Sequence, residues 1–141
     1  MTKGFELDSR LANDCEHLHS LPLCELLLNK DANYPWLILV PRIAGATELL
    51  DLDDAEQLQL LRESNAISRF LQANFKPDKL NIAALGNVVK QLHIHHVARF
   101  VNDAAWPKPI WNAVPARPYN QAEVTKIKQQ LQDYLTLKEL V

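Results

Sequence analysis

The sequence predicts an α+β fold: a mainly antiparallel sheet of about five strands, one long helix, a short N-terminal helix and a C-terminal helix. Three observations carry this expectation. Apolar runs at residues 23–29 and 36–40 flank the turn-forming stretch Asn29-Lys30-Asp31-Ala32-Asn33. A long apolar stripe at helical spacing follows an Asp-x-x-Glu capping pattern at Asp53. Polar and apolar residues then alternate strictly from Gln91 to His95, the signature of a half-buried strand.

In chain order, residues 8–18 read as a short helix. Asp8 suits its N-cap, Leu7, Leu11, Cys15 and Leu18 recur at helical spacing, and Pro22 ends it. Residues 23–29 and 36–40 read as an antiparallel pair of strands, the second stopped by Pro41. The long helix opens at Asp53-Asp54-Ala55-Glu56, where acids suit the helix dipole. Leu60, Ser64, Ile67, Leu71 and Phe75 line one of its faces, and Pro77 requires it to end near residues 74–76. Residues 80–85 form a further strand candidate, Gly86-Asn87 a turn, and residues 88–100 an extended stretch. Pro107, Pro109, Pro115 and Pro118, with Trp106 and Trp111, describe an ordered but irregular segment packed on the surface. A last helix starts at Asn120 and Glu123 and carries the stripe Val124, Ile127, Leu131 and Leu135. The organisation expected is a domain over residues 1–101 and an extension over 102–141 packed on the same domain.

Composition limits the possible functions. The chain has 141 residues, 48% of them hydrophobic, which fits one domain with a real core. A net charge of −2 supplies no electrostatic footprint for polymeric nucleic acid, whose binders concentrate Lys and Arg, but leaves a nucleotide-sized ligand open. The N-terminal residues lack the apolar region of a leader, and no apolar run approaches the ~20 residues that span a bilayer. Cys15 and Cys24 are therefore expected as reduced thiols in a cytoplasmic protein.

The chemistry concentrates in Gln91-Leu92-His93-Ile94-His95-His96-Val97, which holds three of the five histidines. In a strand, Leu92 and Ile94 face the core while Gln91, His93 and His95 form a row on the other face. An imidazole has both protonation states accessible near neutrality. One histidine can attack as a neutral nucleophile while its neighbour stays protonated and donates to a leaving oxygen. Two other readings fit the same pattern. One is the polar face of an edge strand. The other is metal binding by His93 and His95, which needs a third ligand that His96, pointing to the opposite face, does not supply. His96 itself reads as a semi-buried side chain satisfied by a backbone carbonyl or as the mark of a bulge, Arg99 as a surface charge ending a strand or, alternatively, a phosphate ligand, and the tryptophans as core or interface anchors in preference to a base-stacking platform. Cys15, His17, His19 and Cys24 match no standard zinc spacing.

This segment resembles the histidine-triad superfamily, whose signature is His-φ-His-φ-His-φ-φ with φ apolar. The resemblance extends to the apolar strand closing in Pro41-Arg42, to the helix from Asp54 and to the Gly86-Asn87-Val88 turn before the histidines, and covers roughly residues 5–101. It implies a covalent mechanism in which His93 attacks the α-phosphate of a nucleotide and His95 assists charge and proton movement. The substrates implied are dinucleoside polyphosphates, nucleoside phosphoramidates and nucleotide conjugates. No cofactor is implied, and the assembly the resemblance implies is a homodimer. It also places ribose contacts at Asn29 and Asp31 and phosphate contacts at Asn81, Gly86 and Asn87, although turn chemistry alone accounts for Asp31. Three departures stand out. Gln91 replaces the first triad histidine, keeping hydrogen-bonding ability without titration. Val88 replaces a hydroxyl donor. Only Cys24 remains where some members carry a Cys-x-x-Cys zinc element, so structural zinc is not expected. The alternative function is a nucleotide-binding protein with little or no catalysis.

Overall fold

A computed structural model describes residues 4–138. Five antiparallel strands form one sheet in the order β1-β2-β3-β5-β4: β1 (Cys15–Ser20), β2 (Cys24–Asn29), β3 (Trp36–Pro41), β4 (Lys79–Ala83) and β5 (Ile94–Arg99). Helices α1 (Ser9–Asp14), α2 (Asp54–Phe75) and α3 (Gln121–Lys138) complete the expected α+β architecture.

The local signals explain most boundaries. Asn29 accepts from the backbone N–H of Asp31, and Asp31 from that of Asn33, so the β2–β3 turn is written in its own side chains. Asp53 and Glu56 bond each other's backbone N–H at 2.8 Å, closing the capping box that starts α2. Lys76 ends that helix in the left-handed conformation, ahead of Pro77. Asn120 and Glu123 make the same reciprocal pair at the start of α3.

The period of two in the strands separates the two faces of the sheet. Leu26, Leu28, Leu37, Leu39, Ile94 and Ala98 face α2 and α3 and join Ile67, Phe70, Leu71, Ile127, Leu131 and Leu135 in the main core. The opposite face carries two smaller clusters. One joins Leu27, Ile38 and Val40 to Leu11 and Cys15, with Phe5 and Leu7 packed against it. The other joins Val97 to Tyr34, Ala105 and Ile110, with Trp36 and Trp111 alongside. An N-terminal segment and the Pro/Trp-rich segment thus cover the face that two helices leave open.

Two expectations need correction. The helix expected over residues 8–18 stops at Asp14, and Cys15–Ser20 is strand β1. Pairing along the whole of β2 satisfies more backbone groups than one further helical turn, and it still buries Cys15. Its register shifts between His17 and His19, so Leu18 is an extra residue at a bulge. The extended stretch expected over residues 88–100 is strand only from Ile94. Before it, Gly86 takes a φ of +79°, which favours glycine, and Val88 stands 73% exposed. The backbone N–H of Leu92 bonds the carbonyl of Ala46, outside the sheet.

Candidate active site

His95 lies on β5, opposite Ile38 of β3, and points to the face away from α2. His93 precedes the strand, yet the alternation persists: Leu92 and Ile94 enter the main core, and the two imidazoles meet on the other side. Their ring centroids are 4.8 Å apart at an interplanar angle of 70°. Both side chains are buried.

Hydrogen bonds assign each ring a tautomer. The Nδ1 of His93 is 2.7 Å from the backbone carbonyl of Gln91. A carbonyl only accepts, so Nδ1 carries the proton and the neutral ring keeps its lone pair on Nε2. His95 is the reverse case. The indole N–H of Trp36, which can only donate, reaches its Nδ1 at 2.9 Å, so the proton of neutral His95 sits on Nε2. The pair therefore presents one nucleophilic nitrogen and one N–H donor. Burial, with the charges of His93 and His96 adding to it, pushes His95 down to about 3. The expectation that one of the pair stays protonated near neutrality is thereby corrected for His95, which is a neutral donor.

Gln91 acts at two points. Its carbonyl orients His93, while its side chain faces the N-terminal segment: the amide N–H donates to the carbonyl of Glu6, and Oε1 accepts from the N–H of Asp8, each at 2.8 Å. The Gln91 amide touches neither imidazole in these bonds; it fastens residues 6–8 beside them.

Two hollows flank the histidines. One, of about 320 Å³, is lined by Thr47, Leu50, Gly86, Gln91 and His93. The other, of about 510 Å³, is lined by Asn29, Asp31, Trp36, Trp111 and Asn112. Asn29, Gly86 and the two histidines are thus brought to one region. Asn87 is exposed on the turn that follows Gly86. Asn81 lines neither hollow, and its Oδ1 accepts from Arg99 at 2.7 Å.

Arg99 is no surface charge. It is 1% exposed, paired with Asp103 at 2.8 Å, bonded to Asn81 and the Lys108 carbonyl, and stacked near Tyr34 and Trp106. Burial works against ionisation of Asp103, but bonds from Arg99 and from the N–H groups of Phe100, Ala105 and Trp106 outweigh it and hold the carboxyl at about 2. This pair anchors the Pro/Trp-rich segment that carries Trp111 over His95, their ring centroids 5.2 Å apart.

His96, one residue from His95, belongs to the core. It is fully buried, its Nδ1 donates to the Ile94 carbonyl, and its Nε2 accepts from Ser64 of α2 at 2.7 Å. Burial draws it down to about 4, the Ile94 bond acting weakly against this. The expected carbonyl partner is present. Ser64 completes the pairing, and the side chain is more deeply buried than expected. Sequence reasoning missed the role of Trp36. Its type gave only an anchor, and its contact with His95 depends on the β3–β5 register. Among the described residues, no group of three or more His, Cys, Asp or Glu side chains is gathered closely enough to hold a metal ion.

The sequence pattern of the HIT domain matches residues 10–102. Three solved structures are similar over nearly the whole chain. A histidine triad protein from Bradyrhizobium japonicum is 47% identical, covers 92% of this chain and 97% of its own, and superposes with a TM-score of 0.91. One from Marinobacter aquaeolei VT8 is 43% identical over 97% of this chain and 98% of its own, with a TM-score of 0.91. One from Sinorhizobium meliloti 1021 is 37% identical over 94% and 98%, with a TM-score of 0.90. No curated protein sequence is similar enough to match. With the domain pattern spanning both the sheet and the paired imidazoles, the chain belongs to the histidine-triad family.

Proposed function

We propose that this protein is a nucleotide hydrolase or nucleotidyl transferase that acts on the α-phosphate of dinucleoside polyphosphates or nucleoside phosphoramidates. The observation that carries the reading is the complementary tautomers of the pair: a free lone pair on Nε2 of His93 beside an N–H on Nε2 of His95. In the first step Nε2 of His93 attacks phosphorus. The bond from phosphorus to the leaving oxygen or nitrogen breaks with its electron pair, His95 donates a hydrogen bond to the developing charge, and the departing group takes a proton from solvent, which a leaving nitrogen must acquire as the bond breaks. In the second step water or another acceptor attacks the nucleotidyl-His93, loses a proton and frees the imidazole. The hollow lined by Asn29, Trp36 and Trp111 takes the nucleoside. The hollow beside Gly86 takes the phosphate and leaving group, with the exposed amide of Asn87 within the same turn. Asn81 contributes through Arg99 and not by reaching substrate.

The test is nucleotide release from a panel of both substrate classes, with wild type and His93→Ala in parallel and chelator present. Wild-type turnover that falls by at least about 10³-fold in the variant supports the reading. No turnover by folded wild type across the panel leaves the alternative, a nucleotide-binding protein without catalysis.

The proposed working form is a cytoplasmic homodimer. The buried thiols Cys15 and Cys24 support a reducing compartment; they sit in clusters on opposite faces of the sheet and do not face each other. The edge strand β4 and the exposed Leu49, Leu50, Leu61 and Leu85, which line two hollows sharing Leu49, support self-association. Sedimentation should report a dimer that Leu50→Glu weakens; a monomer at all concentrations would reject this part.

A further inference from the structure

The geometry points to Trp36 as a positioning residue that fixes the tautomer of His95 and favours its neutral form, so that it serves as a neutral donor above pH ~5. The role rests on the catalytic reading above, but the state of His95 does not. Trp36 and His95 lie diagonally across the β3–β5 pair: Trp36 faces Val97 and Ile38 faces His95, so both side chains stand on the same face. The indole N–H has no accepting capacity and points at Nδ1 from 2.9 Å. Protonating His95 puts an N–H on Nδ1, aimed at the indole N–H of Trp36. The bond is lost and two donors are opposed. Three neighbouring rings restrict its rotation away from that contact. Trp36 meets it at 5.7 Å, Trp111 at 5.2 Å and His93 at 4.8 Å between centroids. Trp111 in turn stands edge-on to Trp36 at 6.2 Å, bracing the indole.

Other groups around His95 add to the effect. His93 on the same face and His96 on the opposite face are the titratable neighbours whose charge acts on it; Trp36 and Trp111 are uncharged, and Ala83 faces it from β4. Among the described residues, no carboxylate acts on this ring to offset that effect. A hydrogen bond to the neutral form only, inside a desolvated site, moves in the same direction as burial. The consequence for catalysis is specific. His95 stabilises the departing group by hydrogen bonding, and the proton that group finally takes comes from solvent or from the group's own surroundings.

Trp36→Phe keeps most of the packing and removes the donor. Long-range ¹⁵N–¹H spectra of the full chain, recorded from pH 2 to 8, read the tautomer and titration of His95 directly. Wild type should show Nε2 protonated, Nδ1 as a hydrogen-bonded acceptor and no titration above pH 5. In Trp36→Phe the Nδ1 resonance should lose its hydrogen-bonded shift and the midpoint rise by about one pH unit, a tenfold change in the protonation equilibrium. Trp111→Phe, which leaves the indole bond intact, should preserve the Nδ1 shift. A wild-type ring protonated on Nδ1, or a midpoint unmoved by Trp36→Phe, overturns the assignment. The wild-type spectrum alone decides the tautomer should Trp36→Phe fail to fold. Kinetics separate the catalytic role. With active wild type, Trp36→Phe should lower kcat by about twofold more at pH 4 than at pH 7, whereas any change in KM from its place in the nucleoside hollow should be the same at both pH values. An unchanged kcat at both pH values removes the role in catalysis. If neither protein turns over any substrate while the spectra behave as stated, the catalytic reading fails and the lock on His95 stands.

Discussion

On one face of the sheet, Leu26, Leu28, Leu37 and Leu39 meet the apolar stripes of α2 and α3; on the other, Leu27, Ile38, Val40 and Val97 meet an N-terminal segment and a Pro/Trp-rich loop. The first face is sealed by helices whose backbone groups satisfy themselves, so apolar packing does most of the sealing, with two polar ties from α2: Ser64 to His96, and the buried Glu63 carboxylate to the N–H groups of Leu23 and Cys24. The second is sealed by irregular backbone, which needs polar anchors: Gln91 on residues 6–8, and Arg99 with Asp103 on residues 100–108. His95 and His96 mark the difference between neighbours. Both are buried and both are drawn to low pKa, but His96 ends in two bonds to its own scaffold, whereas His95 keeps its Nε2 N–H for the site. Regular packing makes the stable face, and anchored loops make the face that can hold a ligand.

The largest way to break this contrast is to open the helical face. Phe70→Ala removes a fully buried ring packed against Phe75 and Tyr134 and should cost about 3–5 kcal/mol by chemical denaturation. A smaller loss that tracked the loop-face variants would mean that the two faces carry stability equally. Asp103→Ala comes next, at about 3 kcal/mol, the low end for an orphaned buried charge because Arg99 retains Asn81 and the Lys108 carbonyl. Its signature is local: tryptophan fluorescence should report loosening of the Trp111 segment before global unfolding.

Acid should act on both faces through the paired histidines. Below their unfolded pKa of ~6.5, the unfolded chain binds protons that His95 and His96 refuse when folded, down to about 3 and about 4. Stability is therefore full above pH ~6.5 and falls as pH drops through this window, at most about 1.4 kcal/mol per pH unit for each histidine. Denaturation midpoints at pH 7, 6 and 5 measure the slope, and a flat profile would contradict these protonation states. The smallest effect sharpens the comparison most. Gln91→Ala keeps the carbonyl that orients His93 and removes only the amide that holds residues 6–8, at about 1 kcal/mol. It should speed amide exchange in the N-terminal segment while the helical core stays protected.

The sequence by itself determined the elements whose signals are local. The capping box at Asp53 and Glu56, the Asx turns at Asn29 and Asp31 and the stripe Val124–Ile127–Leu131–Leu135 each stabilise their own segment, and each element stands where those residues require it. The inward placement of Leu92 and Ile94, with His93 and His95 opposite, also followed from a period of two. Only the tertiary structure decided the rest, because it depended on which distant groups met. Cys15–Ser20 left its helical pattern once β2 offered a ladder, Arg99 was buried because Asp103 folded back under it, and Ser64 on a helix face proved to be the partner of His96. The chemistry of the site was decided in the same way. A histidine's tautomer is set by what its other nitrogen touches, and for His95 that is Trp36, brought alongside by a strand register that no local pattern encodes.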